Sequence, residues 1–113
     1  MFVVVVFVEG KREHRSALRE ALLMQARTTV EEEPRCHRFD VSADPVDSAS
    51  FLIYAVFDSL AAHKAHQETQ PYANYAILTE PWTKSKRVLT YDLISETARS
   101  NGSAAPPFPG GHA

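Results

Sequence analysis

Two histidines stand three residues apart in LAAHKAH, residues 60–66. On a helix beginning near Leu60 that spacing puts His63 and His66 on adjacent parts of one surface. An imidazole, with a free pKa of about 6.5, accepts or delivers a proton at neutral pH, as chemistry on an acidic phenol or an enol requires. The competing reading of each is a local hydrogen-bonding residue at the edge of an apolar helix. As metal ligands they fall short, because a stable zinc site takes three or four protein donors and His14, His37 and His112 stand at no ligand spacing. No metal and no other cofactor is therefore expected.

Tyr54, Tyr72, Tyr75 and Trp82 have apolar bodies with a polar tip, suited either to walling a flat aromatic substrate or to ordinary core packing. Tyr72 and Tyr75 are one helical turn apart in the segment expected to act as a lid. Arg38 and Asp40 project together from a strand. They form an ion pair at the sheet edge, or Arg38 faces a partner or orients a substrate oxygen. Cys36, the single cysteine, has no CxxC partner or positioned histidine and offers neither a disulfide nor a ready nucleophile.

The elements that must hold these groups follow from periodicity. Residues 2–8, FVVVVFV, are β-branched and aromatic throughout and predict a strand covered on both sides, broken by Gly10. From about Glu13 to Val30, Leu18, Ala21, Leu22 and Gln25 share one helical face, with Arg15, Arg19 and Arg27 turned to water. Pro34 ends that helix, near Val30 or the acids Glu31, Glu32 and Glu33. Residues 35–42 alternate as a strand, with His37, Phe39 and Val41 opposed to Arg38 and Asp40. SADPVDSAS makes the turn, 51–57 the third strand, and Asp58 or Ser59 caps a helix from Leu60 that stops before Pro71. A shorter helical turn is expected over Tyr72–Leu78, bounded by Pro81. Residues 86–93 close the pattern, with Leu89, Tyr91 and Leu93 opposed to Val88 and Thr90.

The order strand, helix, strand, strand, helix, strand is the α+β, ferredoxin-like split βαβ arrangement (βαββαβ) with an antiparallel sheet, both helices on one face. The first and third strands are apolar on the other face too: Val3, Val5 and Phe7 stand opposite Val4 and Val6, and Leu52, Tyr54 and Val56 opposite Ile53 and Ala55. One chain has helix enough for one side only. A second copy burying a further ~1,000 to 2,000 Å² would supply the cover, at ~25 cal/mol per apolar Å² before association costs. A homodimer, a dimeric α/β barrel, is expected.

In 113 residues there is room for one domain, placed at 1–95. Residues 96–113, with Pro106, Pro107, Pro109 and several glycines, have no periodic apolar face and are expected to form a disordered tail. A net charge of -2 with both signs interspersed recruits no polyanion, and KSKR at 84–87 is a short solvated run, so no nucleic-acid partner is expected. There is no phosphate-cradling glycine motif. The apolar opening reaches Glu9 too soon to target or span a membrane, which leaves a cytoplasmic location as the expectation.

The apolar first strand followed by EGKREH, the segment EEEPRCHRFDV at 31–41, FLIYAVFDSLAAHKAHQET at 51–69 and VLTYDL at 88–93 together resemble the antibiotic biosynthesis monooxygenase family over about residues 2–94. That family comprises dimeric ferredoxin-like α/β-barrel proteins. They include oxygenases needing neither metal nor flavin, enzymes of quinol metabolism, haem-degrading proteins and an isomerase. The resemblance maps the family's helix histidine onto His66. Ala55 stands where members often place a glutamate, and Pro71 where they place a second histidine. The first-strand asparagine of the haem-degrading subset would fall within Val3–Val6, which has no amide. The implied activity is cofactor-independent oxygenation of a phenolic, hydroquinone or anthrone-like substrate by O2, with His66 as base and Tyr54, Tyr72, Tyr75, Trp82 and Arg38 as candidate substrate contacts. The alternatives are a cofactor-free isomerase or tautomerase, and a non-catalytic dimeric protein that binds small molecules.

Overall fold

The first strand, β1 (Phe2–Gly10), lies in the interior of a four-stranded antiparallel sheet because every residue from 2 to 8 is apolar and can be covered on both faces. The computed structural model describes residues 1–99. It orders the strands β2 (Cys36–Ala43), β3 (Ser50–Phe57), β1 and β4 (Thr83–Asp92). The two strands richest in apolar residues are thus central, while the edges hold Arg38 and Asp40 on β2 and Lys84, Lys86 and Arg87 on β4. Charged edges discourage further strand addition. The expected ferredoxin-like topology is observed, with three helices where two were read. They are α1 (Arg15–Glu32), α2 (Leu60–His66) and α3 (Gln70–Thr79).

The third helix replaces the short turn expected over 72–78. Pro71 does not merely bound α2; it sits in the first turn of α3, where its missing N–H costs nothing. Thr69 caps that helix by accepting from the Tyr72 N–H at 3.2 Å, and its own hydroxyl donates to the His66 carbonyl at 2.9 Å. Of the two candidates to cap α2, Ser59 does so, accepting from Ala62 N–H at 3.1 Å. Asp58 pairs instead with His37. β4 begins at Thr83, three residues earlier than expected, directly after a single 3₁₀ turn at Glu80–Trp82.

All three helices pack on the face formed by Val4, Val8, Phe51, Ile53, Ala55 and Phe57, where Leu18 and Leu22 of α1 are fully buried. A register shift between Cys36 and Arg38 corrects the alternation read for β2. The irregularity puts Cys36 opposite Phe57 and Phe39 opposite Ala55, on the helix side, and leaves His37 exposed instead of aligned with Phe39 and Val41. On the other face the register brings Val5 between Tyr54 and Leu89, and Val3 between Val56 and Tyr91. Val3 and Val56 are already buried within the single chain, where Leu93 and Glu96 line the same hollow as Val56 and Arg38. Phe7 and Tyr91 remain 44% and 54% exposed. No helix among the described residues is long and apolar enough to cross a membrane. Residues 96–99 of the expected tail have no regular structure, and 100–113 lie outside the described residues.

Gly10 closes β1 where the chain must pass close to α1. Its N–H donates to the Ala49 carbonyl at 2.8 Å, and a Cβ there would meet Leu18 Cδ2 at 2.5 Å and the Ala49 carbonyl oxygen at 3.1 Å. Leu18 is fully buried, so any shift of its side chain presses on the core around it. Gly10→Ala is therefore expected to destabilise the fold by about 1 to 3 kcal/mol, the usual cost of overpacking. Urea denaturation checks this, and an unchanged midpoint would show that the shell around Leu18 yields.

Candidate active site

α1 ends in a way that places a carboxylate over the sheet. Pro34 disfavours helical backbone in the residue before it, and Glu33 adopts φ −117°, ψ 94°, which takes its side chain off the helical ladder. That carboxylate meets His66 at the end of α2: Nδ1 lies 3.1 Å from Oε1 and 2.9 Å from Oε2. His66 is only 4% exposed and Glu33 is partly buried. A carboxylate can only accept, so Nδ1 carries a proton, and in the neutral ring the lone pair is then on Nε2. The position where a family glutamate was missing, Ala55, is packed in the core, and the orienting acid arrives from α1 instead. Sequence reasoning missed Glu33; the available signal was an acidic residue directly before a helix-ending proline.

The imidazole forms one wall of a cleft between the sheet and helices α2 and α3. The cleft has a volume of about 70 Å³ and is lined also by Val4, Val6, Phe39, Phe57, His63, Tyr72, Tyr75, Gln25, Gln67, Lys86 and Val88. The Tyr72 ring meets the His66 ring edge-on at 5.1 Å, Phe57 lies 5.3 Å away, and Tyr72 and Tyr75 are 6.1 Å apart. Of the expected substrate contacts the structure therefore brings Tyr72 and Tyr75 to His66. It separates the other three. Tyr54 and Arg38 lie on the far face of the sheet, in register with Val5 and Val56, and Arg38 Nε donates to Asp40 Oδ2 at 2.6 Å. Trp82 packs on the core from the turn before β4, stacked on His14 at 6.2 Å.

Burial sorts the titratable groups around the cleft into distinct roles. Burial first, and then the neighbouring His66, lowers the pKa of His63 from its ordinary value, which favours a neutral ring. Burial, reinforced by Tyr72, pushes the Tyr75 phenol up to about 12, so it is a donor and not a base at neutral pH. The Cys36 thiol is raised to about 11, by burial first and with Glu33 adding to the rise against a backbone hydrogen bond at Arg38, so it stays protonated and unreactive. Among the described residues no three His, Cys, Asp or Glu side chains cluster as a metal site would require.

The sequence profile described as antibiotic biosynthesis monooxygenase matches residues 1–76. Solved structures carrying that name are similar in fold. One from Nitrosomonas europaea has 24% identity and a TM-score of 0.80, covering 84% of this chain and 100% of its own. One from Deinococcus radiodurans has 20% identity and a TM-score of 0.78, covering 89% and 100%. One from Bacteroides thetaiotaomicron has 14% identity and a TM-score of 0.81, covering 88% and 95%. No protein of curated function matches at a significant level.

The lowered pKa of His63 sets a direction for stability. As pH falls through the unfolded value of about 6.5, the unfolded chain takes up a proton that the folded chain does not yet bind, so folding weakens until pH passes below the folded value. Stability from this group is fully present above about pH 6.5 and is lost below it. His63→Gln is expected to reduce the fall in urea midpoint between about pH 7.5 and about pH 5. An equal fall in both proteins would assign the pH dependence to other groups.

Proposed function

Because the chain belongs to the antibiotic biosynthesis monooxygenase family, we propose that this cleft binds a small electron-rich phenol or hydroquinone and oxidises it with O2 without a cofactor, in a homodimer. The observation that supports this reading best is the Glu33–His66 pair, whose buried imidazole forms part of the wall of an aromatic-lined cleft. It supplies a held tautomer with a basic nitrogen among rings suited to packing a flat substrate. A cleft of about 70 Å³ is small beside the ~300 to 1,000 Å³ of drug-sized sites, which favours single-ring substrates over anthrones in this conformation.

In the proposed mechanism His66 Nε2 takes the phenolic proton while Nδ1–H stays on Glu33, whose charge stabilises the imidazolium. The phenolate gives one electron to triplet oxygen, and the phenoxyl radical and superoxide combine at a hydrogen-bearing ring carbon, para to the oxygen in a simple phenol and ortho to it in a hydroquinone. The C–H proton at that carbon passes to the outer peroxide oxygen as the O–O bond breaks. One oxygen stays as a quinone carbonyl; the other leaves as hydroxide and takes the proton back from His66 as water. All four electrons that O2 requires come from the substrate. Protonated Tyr75 cannot take the proton, burial makes His63 a weaker acceptor than an ordinary imidazole, and the apolar walls limit access of bulk water.

The same reading has the half-exposed Phe7 and Tyr91 buried against a second copy. Sedimentation at micromolar concentration is expected to give about twice the 12.6 kDa chain mass, and Phe7→Arg to shift it toward one. A monomeric wild type would reject the dimer. For the chemistry, metal-free protein is expected to consume oxygen with a panel of substituted hydroquinones. His66→Ala should reduce that rate by about 10² to 10⁴, with Glu33→Ala falling between. Failure across the panel, with oxygen-independent turnover of a carbonyl substrate instead, would replace the oxygenase by an isomerase.

A further inference from the structure

The core-facing stripe of α1 is Leu18, Leu22, Gln25 and Thr29, all buried. Two of these are polar, and they are treated differently. Thr29 satisfies its hydroxyl locally by donating to the Gln25 backbone carbonyl at 2.7 Å. Gln25 is 5% exposed, yet its side-chain Nε2 is buried with no hydrogen-bond partner. An unpaired buried donor costs about 1 to 3 kcal/mol, and Leu at this position would avoid that cost as it does at Leu18 and Leu22. Such a group calls for a partner that arrives from outside the chain.

Gln25 lines the same cleft as His66. With Tyr75 it also forms the partition between that cleft and an apolar groove of about 430 Å³ between α1 and α3. The other polar lining groups stand on other elements, His63 and His66 on α2 with Gln67 just after it, Tyr72 and Tyr75 on α3 and Lys86 on β4, so a donor on α1 reaches a bound molecule from a different element than the base on α2.

We propose that Gln25 is a specificity-determining residue whose amide donates to a second oxygen of the ligand, a ring-attached carbonyl, while His66 engages the hydroxyl. Resting on the phenol-binding reading above, this narrows the ligand class to phenols bearing an acceptor substituent. Leaving that amide unmet would penalise phenols that lack the acceptor.

Binding of 3′- and 4′-hydroxyacetophenone can be compared with that of 3- and 4-ethylphenol under anaerobic conditions by calorimetry, in wild type and in Gln25→Met. Each pair matches in shape and differs in the carbonyl, and comparing proteins cancels the intrinsic acidity of each phenol. Wild type is expected to prefer the acetophenone of at least one pair. Gln25→Met should shrink that preference by roughly 2- to 12-fold, the worth of one hydrogen bond, while still binding the ethylphenol. Gln25→Leu provides a second apolar variant should Met pack poorly, and thermal stability equal to or above wild type would confirm that either folds. A preference that is absent in wild type, or unchanged in the variants, overturns the role of Gln25 and leaves the phenol site standing. If wild type binds none of the four phenols, the phenol site itself falls and this role with it.

Discussion

β1 and β3 are apolar along both edges of their pleat, and no arrangement of this chain leaves them at the rim of a sheet without exposing a row of Val, Ile and Phe to water. Their antiparallel pairing down the middle of the sheet follows, and with it the placing of charged β2 and β4 outside. The helices must then lie on one face, where Leu18 and Leu22 bury against Val4, Val8 and Ile53. Because α1 and α2 both press on this face, the end of one and the end of the other are brought together, and Glu33 reaches His66. The carboxylate–imidazole contact is a by-product of covering the sheet.

Around that contact, burial acts on several of the titratable groups. Desolvation acts against charge on His63 and raises Tyr75 and Cys36 toward their neutral forms. His66 differs in holding a carboxylate on Nδ1. Two histidines one turn apart on the same helix therefore have unlike surroundings, and the difference comes from a residue thirty-three positions away from His66.

Much of this geometry was legible locally. Periodicity in Phe2–Val8 and Phe51–Phe57 identifies central strands, and the His63/His66 spacing and the Tyr72/Tyr75 turn identify the cleft wall. Alternation alone also put Tyr54 opposite Ile53 and Ala55, and Arg38 opposite Phe39 and Val41. What it does not contain is which face the helices cover, and that is why these two entered the expected site although they stand on the other side of the sheet. The irregularity at His37, which restores Cys36 to the core, is set by pairing with β3 and has no local signature. Glu33 was equally hidden, because a helix-terminal acid declares nothing until the element it meets is known. α3 was underestimated for a different reason: Pro71 was weighed as a stop, when its place in a first turn beside the Thr69 cap makes it a start.

A single threonine links the end of α2 to the start of α3. Thr69 accepts from Tyr72 N–H and donates to the His66 carbonyl, so the residue that begins the tyrosine wall and the residue that bears the base are joined through a single hydroxyl. The tyrosine wall and the imidazole are thereby held in a fixed relation across a cleft of about 70 Å³, and under the reading proposed above that relation would suit a single-ring ligand better than a multi-ring one.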